Sequence, residues 1–134
     1  MPLLTWNDSY SVKVGRFDEE HKKLVSLLNA LHQAMAAGSG RAVMAPVIRE
    51  MQNYAATHFQ NEEKLMERTG YPALPSHRLR HDEFVAQVQK FSQDWEENRI
   101  STVEVIHFLR DWLLNHIQKT DRLYGPHLNA HGIT

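Results

Sequence analysis

Apolar residues recur at intervals of three and four in four separate stretches, and this period most constrains what the chain can fold into. Leu24, Leu28, Leu31 and Met35 form the first run, which stops at Gly38-Ser39-Gly40. The second run, from about Arg41 to Thr69, passes through Val47, Met51, Tyr54, Ala55, Leu65 and Met66. Gly70 then sits just past a helix end, and Pro72 follows it. Phe84, Val88, Phe91 and Trp95 carry the third, which starts near Pro75 or Ser76 and reaches about Asn98. The fourth opens on a capping box, Ser101-x-x-Glu104. It continues through Val105, Leu109, Trp112, Leu113 and Tyr124, and it ends at Gly125-Pro126. No strand alternation, repeat or low-complexity segment interrupts the pattern.

The expected fold is therefore all-α, an up-down-up-down antiparallel four-helix bundle over residues 18–125 within a single domain of residues 1–134. Asp18 is the expected N-cap of the first helix, with Glu19 and Glu20 suiting its positive end. Pro46 must lie near the start of the second helix or mark a local irregularity. Residues 1–17 read as a non-helical arm that lays Trp6, Tyr10, Val12, Val14 and Phe17 over the bundle. The tail, residues 126–134, reads as frayed.

A formal net charge of −1 gives no sign of nucleic acid or an anionic membrane as partner. No apolar stretch is long enough for membrane insertion, and the N-terminus has no basic segment before an apolar one. Cytoplasm is the expected location. Cysteine is absent, which excludes disulfides and thiolate metal sites. Little apolar stripe is left over on the helix surfaces, so a monomer is expected.

Nine histidines are many for 134 residues. His32, His107, His127 and His131 have no coherent placement and read as surface or helix-flank residues. The others fall on the apolar stripes. His21 precedes Leu24 and Leu28; His58 and Glu62 share a face with Met51, Ala55 and Leu65. His77 and His81 precede Phe84 and Val88, and His116 follows Leu109, Trp112 and Leu113. Counted from the first turn, His21 and His58 lie about 18.5 residues away and Glu62 about 22.5. Counted from the third turn, His81 and His116 lie about 17.5 residues away, His77 about 21.5 and Asp121 about 22.5. All seven fall in one slab, roughly 7 Å thick at ~1.5 Å per residue. Histidines buried for unrelated reasons would not agree in height, and burying so many polar groups together needs compensation. A metal centre supplies it.

Five imidazoles and two carboxylates exceed what one tetrahedral zinc accepts, and they are too nitrogen-rich for calcium or magnesium. Two octahedral ions sharing both carboxylates and a hydroxide use all of these donors and leave one position for a small ligand. The donor set suits iron over copper, with manganese and cobalt left open. With two ferrous ions, two carboxylates and one hydroxide, the core is formally +1. It stays +1 when O₂ takes two electrons and the hydroxide's proton, which favours reversible uptake. None of the seven residues forms a Glu-x-x-His pair, the hallmark of carboxylate-rich di-iron sites.

His21 within FDEEHK, then HFQNEE, GYP followed by His77 and His81, DWLLNHI, Asp121 and LYGP resemble, in this order, the ligand signature of the hemerythrins, especially the single-domain bacterial ones. The resemblance covers nearly the whole chain from Trp6 onward. It implies that His77, His81 and His116 hold one iron and His21 and His58 the other, with Glu62 and Asp121 bridging an oxo- or hydroxo-bridged pair of irons. It also implies an apolar oxygen pocket of Leu24, Phe59, Trp112, Leu113 and Ile117. The expected function is reversible dioxygen binding for storage, transport or delivery to an unidentified recipient, without enzymatic turnover. The rival is a di-iron oxidase, peroxidase or nitric oxide-handling enzyme on the same site.

One spacing resists this reading. His116 and Asp121 are five residues apart, which leaves their side chains roughly 140° apart on a regular helix. At about 4.4 residues per turn the gap closes to ~50°, so a π-helical distortion is expected between about Leu113 and Tyr124; the alternative is a regular helix whose axis shifts so that Asp121 enters from the flank.

Overall fold

The computed structural model describes residues 3–134. Helix α1 spans Gly15–Ala36. Helix α2 covers 40–69 in three pieces: an α-helix Gly40–Tyr54, a π-helical turn Ala55–Phe59 and an α-helix Gln60–Thr69. Helix α3 is Leu74–Glu96. Helix α4 covers 102–130 and winds four ways in succession. It is α over Thr102–Asp111, π over Trp112–Thr120, 3₁₀ over Asp121–Leu123 and α again over Tyr124–Ala130. α1 packs beside α2 and α4, and α2 beside α3. Aromatic contacts close the fourth side, with Phe84 against Trp112 and Phe91 against Phe108. This is the expected four-helix bundle, with the arm outside it; the arm is not wholly non-helical, because Asp8–Tyr10 form a 3₁₀ turn in which the Asn7 side chain accepts from the Ser9 N–H at 2.8 Å.

The turns follow from local chemistry. Gly70 ends α2 at φ 69°, a left-handed conformation that costs glycine nothing, and the Tyr71 N–H reaches back to the Met66 carbonyl at 2.9 Å. Ser101 caps α4 by accepting from the Glu104 N–H at 3.3 Å. Pro46 lies inside α2, at its seventh residue.

Two boundaries differ from the sequence expectation. α1 begins at Gly15, not Asp18, and Val14 precedes it without a side-chain cap. Asp18 instead accepts from the Ser11 hydroxyl at 2.6 Å and from the Val12 N–H at 2.8 Å, so it ties down the arm. α4 also does not stop at Gly125-Pro126. The 3₁₀ turn before Tyr124 leaves Pro126 in the first turn of a new α segment, where a missing N–H does little harm. Leu128 is fully buried there, and the Asn129 side chain donates to the Lys13 and Ile133 carbonyls. The tail is docked rather than frayed.

The core is divided in two. The larger part contains Leu24, Leu28, Met51, Phe59, Phe84, Leu113 and Ile117. The smaller contains Val12, Val14, Phe17, Met66, Leu74, Tyr124 and Leu128. Along each helix the change from one part to the other falls at a histidine or carboxylate: His21 lies between Phe17 and Leu24, Glu62 between Phe59 and Met66. His77 and His81 lie between Leu74 and Phe84, and Asp121 between Ile117 and Tyr124. The polar residues thus form one layer across the bundle, as their heights along the helices require.

Candidate metal centre

Among the described residues, His21, His58, Glu62, His77, His81, His116 and Asp121 are the buried polar and charged ones, each 5% exposed or less. The structure brings all seven together as two overlapping groups. Glu62, His77, His81, His116 and Asp121 converge at one pole; His21 and His58 converge at the other with the same two carboxylates.

Each carboxylate divides its oxygens between the poles. Glu62 Oε1 lies 3.1 Å from His81 Nε2, while its Oε2 lies 3.2 Å from His58 Nε2. Asp121 Oδ1 lies 2.8 Å from His116 Nε2 and 3.0 Å from His77 Nε2, while its Oδ2 lies 3.2 Å from His21 Nε2. At the second pole the two imidazoles face each other, Nε2 to Nε2, at 2.8 Å.

Asp121 reaches this position because α4 unwinds where the spacing requires it. The Asp121 N–H donates to the His116 carbonyl, five residues back. A second π turn, Ala55–Phe59, carries His58 and had no signal in the sequence.

The outer nitrogens of two histidines are held by carboxylates. His58 Nδ1 donates to Glu20 Oε1 at 2.7 Å, and Asn61 holds the other Glu20 oxygen at 3.2 Å. His81 Nδ1 donates to Glu63 Oε2 at 2.7 Å, and Arg78 steadies Glu63 at 3.0 Å. With the proton on Nδ1, each ring presents a bare Nε2 lone pair to the carboxylates. Glu20 reads from sequence only as a helix-start acid, and Glu63 only as the neighbour of Glu62. Their partners come from other helices, so spacing could not reveal them.

The site passes a chemical test for cations. His77 Nε2, His81 Nε2, His116 Nε2, Glu62 Oε1 and both Asp121 oxygens are buried without a hydrogen-bond partner. Lone pairs therefore point at one another in a dry interior, an arrangement that positive charge between them must compensate. Without metal, protons would serve. Burial alone lowers the pKa of His77, but Asp121 and Glu62 outweigh it and raise it to about 10. Burial lowers that of His58 too, and Glu62 with Glu20 raises it to about 9. Burial acts to raise the pKa of Glu62, yet His58 and its neighbours hold it well below the ordinary range.

Tyr124 is a further contributor that sequence reading assigned only to packing. Its hydroxyl donates to Glu62 Oε2, and burial with the Glu62 charge keeps it protonated. Aromatic rings also lie flat on three of the imidazoles. Phe59 covers His81 at 3.8 Å between ring centres, Trp112 covers His116 at 3.8 Å, and Tyr54 covers His58 at 4.7 Å. Leu24, Phe59, Trp112, Leu113 and Ile117 are all buried in the larger core beside the layer. A groove of about 430 Å³ between α1 and α2 is lined by Leu24, Leu27, Tyr54 and, from the two-histidine pole, His58.

The other histidines stay apart from the layer. The chain's one Glu-x-x-His spacing, Glu104 to His107, is exposed on α4. His127 bonds to Thr69 at 3.0 Å, His131 is exposed, and His32 lies half-buried on α1.

A helical bundle crossed by a layer of five histidines and two shared carboxylates defines a class, and sequence comparison agrees. The profile of the hemerythrin HHE cation binding domain matches residues 12–128, and the chain belongs to the hemerythrin family. It is 36% identical to a bacteriohemerythrin of Methylococcus capsulatus, over 97% of this chain and 100% of that one. It is 33% identical to a bacteriohemerythrin of Stenotrophomonas maltophilia, over 98% of this chain and 85% of the relative. Among solved structures, wild-type hemerythrin superimposes with a TM-score of 0.79 at 30% identity, covering 94% of this chain and 98% of the other. No helix among the described residues is long and apolar enough to cross a membrane.

Proposed function

We propose that this protein binds dioxygen reversibly at a dinuclear iron centre, for storage, transport or delivery. The observation that carries the reading is the division of each carboxylate between the poles, oxygen by oxygen. Two carboxylates that each face two separate imidazole sets are arranged for two cations. His77, His81 and His116 would hold one iron, His21 and His58 the other, and Glu62 and Asp121 would bridge them. Three nitrogens and two oxygens give one pole five donors, whereas the other has four, so the two-histidine pole is the more open to a ligand. When bound, an iron pair would supply the two electrons that reversible oxygen binding requires.

The chain's own residues do the rest. Glu20 and Glu63 fix the tautomers of His58 and His81 and strengthen their Nε2 donors. Tyr124 holds Glu62 against rotation. Leu24, Phe59, Trp112, Leu113 and Ile117 give the layer a dry wall, which keeps protons and bulk water from bound oxygen.

Metal analysis should find about two irons per chain, from the octahedral donor arithmetic. One zinc, or a single iron, would remove the basis of the reading. Stopped-flow mixing of the reduced protein with O₂ should then give an absorption that persists and disappears under vacuum. Rapid decay with product formation would instead identify an oxidase, peroxidase or nitric oxide-handling enzyme.

A further inference from the structure

The N-terminal arm is attached to α4 at three points that bracket Asp121. Gln118 Nε2 donates to the Ser9 hydroxyl oxygen at 2.8 Å, three residues before Asp121. Four residues after it, Gly125 lies so close to the arm that a Cβ there would sit 2.4 Å from the Val12 carbonyl oxygen. Further on, Asn129 Nδ2 donates to the Lys13 carbonyl at 2.9 Å. Residue numbers rise together on both sides, so arm and helix run in the same direction. Val12 and Val14 are buried against Tyr124 and Leu128, which seals the contact.

The segment so gripped is unusual. π winding commonly appears as a single turn inside an α-helix, yet here it runs for nine residues and hands over directly to a 3₁₀ turn. Regular winding would carry Asp121 roughly 140° from His116. Nor is Asp121 steadied from outside the layer, since its carboxylate oxygens face only the imidazoles of His21, His77 and His116. Its position is therefore set by the backbone of α4, and that backbone is held from outside by the arm.

We propose that the arm fixes the wide winding of α4, and that Gln118 and Gly125 are positioning residues for the Asp121 carboxylate. Ser9 locks the π segment before Asp121, and the close approach of Val12 to Gly125 locks the turn after it. This inference rests on Asp121 serving as a metal bridge.

The test compares Gln118→Ala, Ser9→Ala, the double variant and Ser9→Thr as iron-loaded proteins. Iron loss to an excess of a strong chelator is timed, and backbone amide exchange is mapped. Either alanine variant should lose iron roughly tenfold faster, the scale of effect for groups that orient metal ligands. The double variant should be no worse than the singles, because both remove one bond, and Ser9→Thr should restore retention. Exchange should quicken within residues 112–124 and leave α1 and α3 unchanged. Gly125→Ala, which displaces the Val12 carbonyl, should act in the same direction. Wild-type iron retention in both alanine variants would overturn the proposal, and so would exchange that quickens uniformly in all four helices. If the wild-type chain itself holds no iron pair, the bridging assignment fails separately. The exchange pattern in residues 112–124 still decides whether the arm holds the winding.

Discussion

The Tyr124 hydroxyl donates to Glu62 Oε2 across 62 residues of sequence, joining α4 to α2 through one of the two shared carboxylates. The bond selects one rotamer of Glu62 and so decides which oxygen faces His58. Tyr124→Phe keeps the ring that packs on Phe17 and removes only this donor. Chemical denaturation of the metal-free variant should show a loss of about 1.5–3 kcal/mol, the usual worth of a hydrogen bond to a charged group. An unchanged midpoint would mean that Glu62 is held without Tyr124.

Glu63 acts on the site at one remove. Its 2.7 Å bond to His81 Nδ1 orients the ring and keeps the proton off Nε2. Glu63→Ala should weaken iron binding about 10–100-fold while leaving the helices intact. Chelator competition followed by circular dichroism separates the two effects. Unaltered affinity would reduce Glu63 to the partner of Arg78.

His77 Nε2 faces both carboxylates, 3.0 Å from Asp121 Oδ1 and 3.7 Å from Glu62 Oε1. His77→Ala should cost metal and about 3–5 kcal/mol of stability together, since Asp121 and Glu62 would keep buried charge without their partner. A variant that stays fully loaded and equally stable would disprove its place among the ligands.

Metal removal should give the protein a steep dependence on pH. His58 and His77 have pKa values raised to about 9 and about 10 in the metal-free fold, against an ordinary 6.5. Their protonated forms contribute stability that is complete below pH 6.5 and lost as pH rises through 9 to 10. Glu62 and Asp121 are shifted down, so their contribution is present above the ordinary carboxylate range and lost as the solution becomes strongly acidic. The melting temperature of chelated protein should therefore fall between pH 6.5 and pH 10. Iron replaces those protons, so the loaded protein should lack this alkaline loss. Parallel curves for the two forms would contradict the proton assignment.

Leu113 is fully buried, one turn before His116, in the apolar core beside the layer. Leu113→Tyr brings a hydroxyl into the dry wall and overpacks it, at a cost of about 1–3 kcal/mol. Iron content should hold, while irreversible oxidation after exposure to air should quicken. Equal oxidation rates in variant and wild type would leave Leu113 with a packing role alone.

Much of this architecture was legible from local order. Helical period located four helices, and height along them placed seven polar residues in one layer before any contact was known. The His116–Asp121 spacing even pointed to the π winding now seen in α4, because side-chain direction on a helix is a matter of residue count. Counting fails wherever the partner comes from another part of the chain. Glu20 on His58, Glu63 on His81, Tyr124 on Glu62 and the arm along α4 join residues 18 to 116 positions apart. The π turn at His58 left no trace either, since the four-residue step from His58 to Glu62 suits an ordinary helix. The fate of the tail was likewise tertiary: Gly125-Pro126 reads as a stop, and α4 continues because Leu128 finds a buried place against the arm. Sequence determined which residues share a face and a height. Tertiary structure decided which of them touch, because contact depends on helix separation and rotation, which residue counting does not contain.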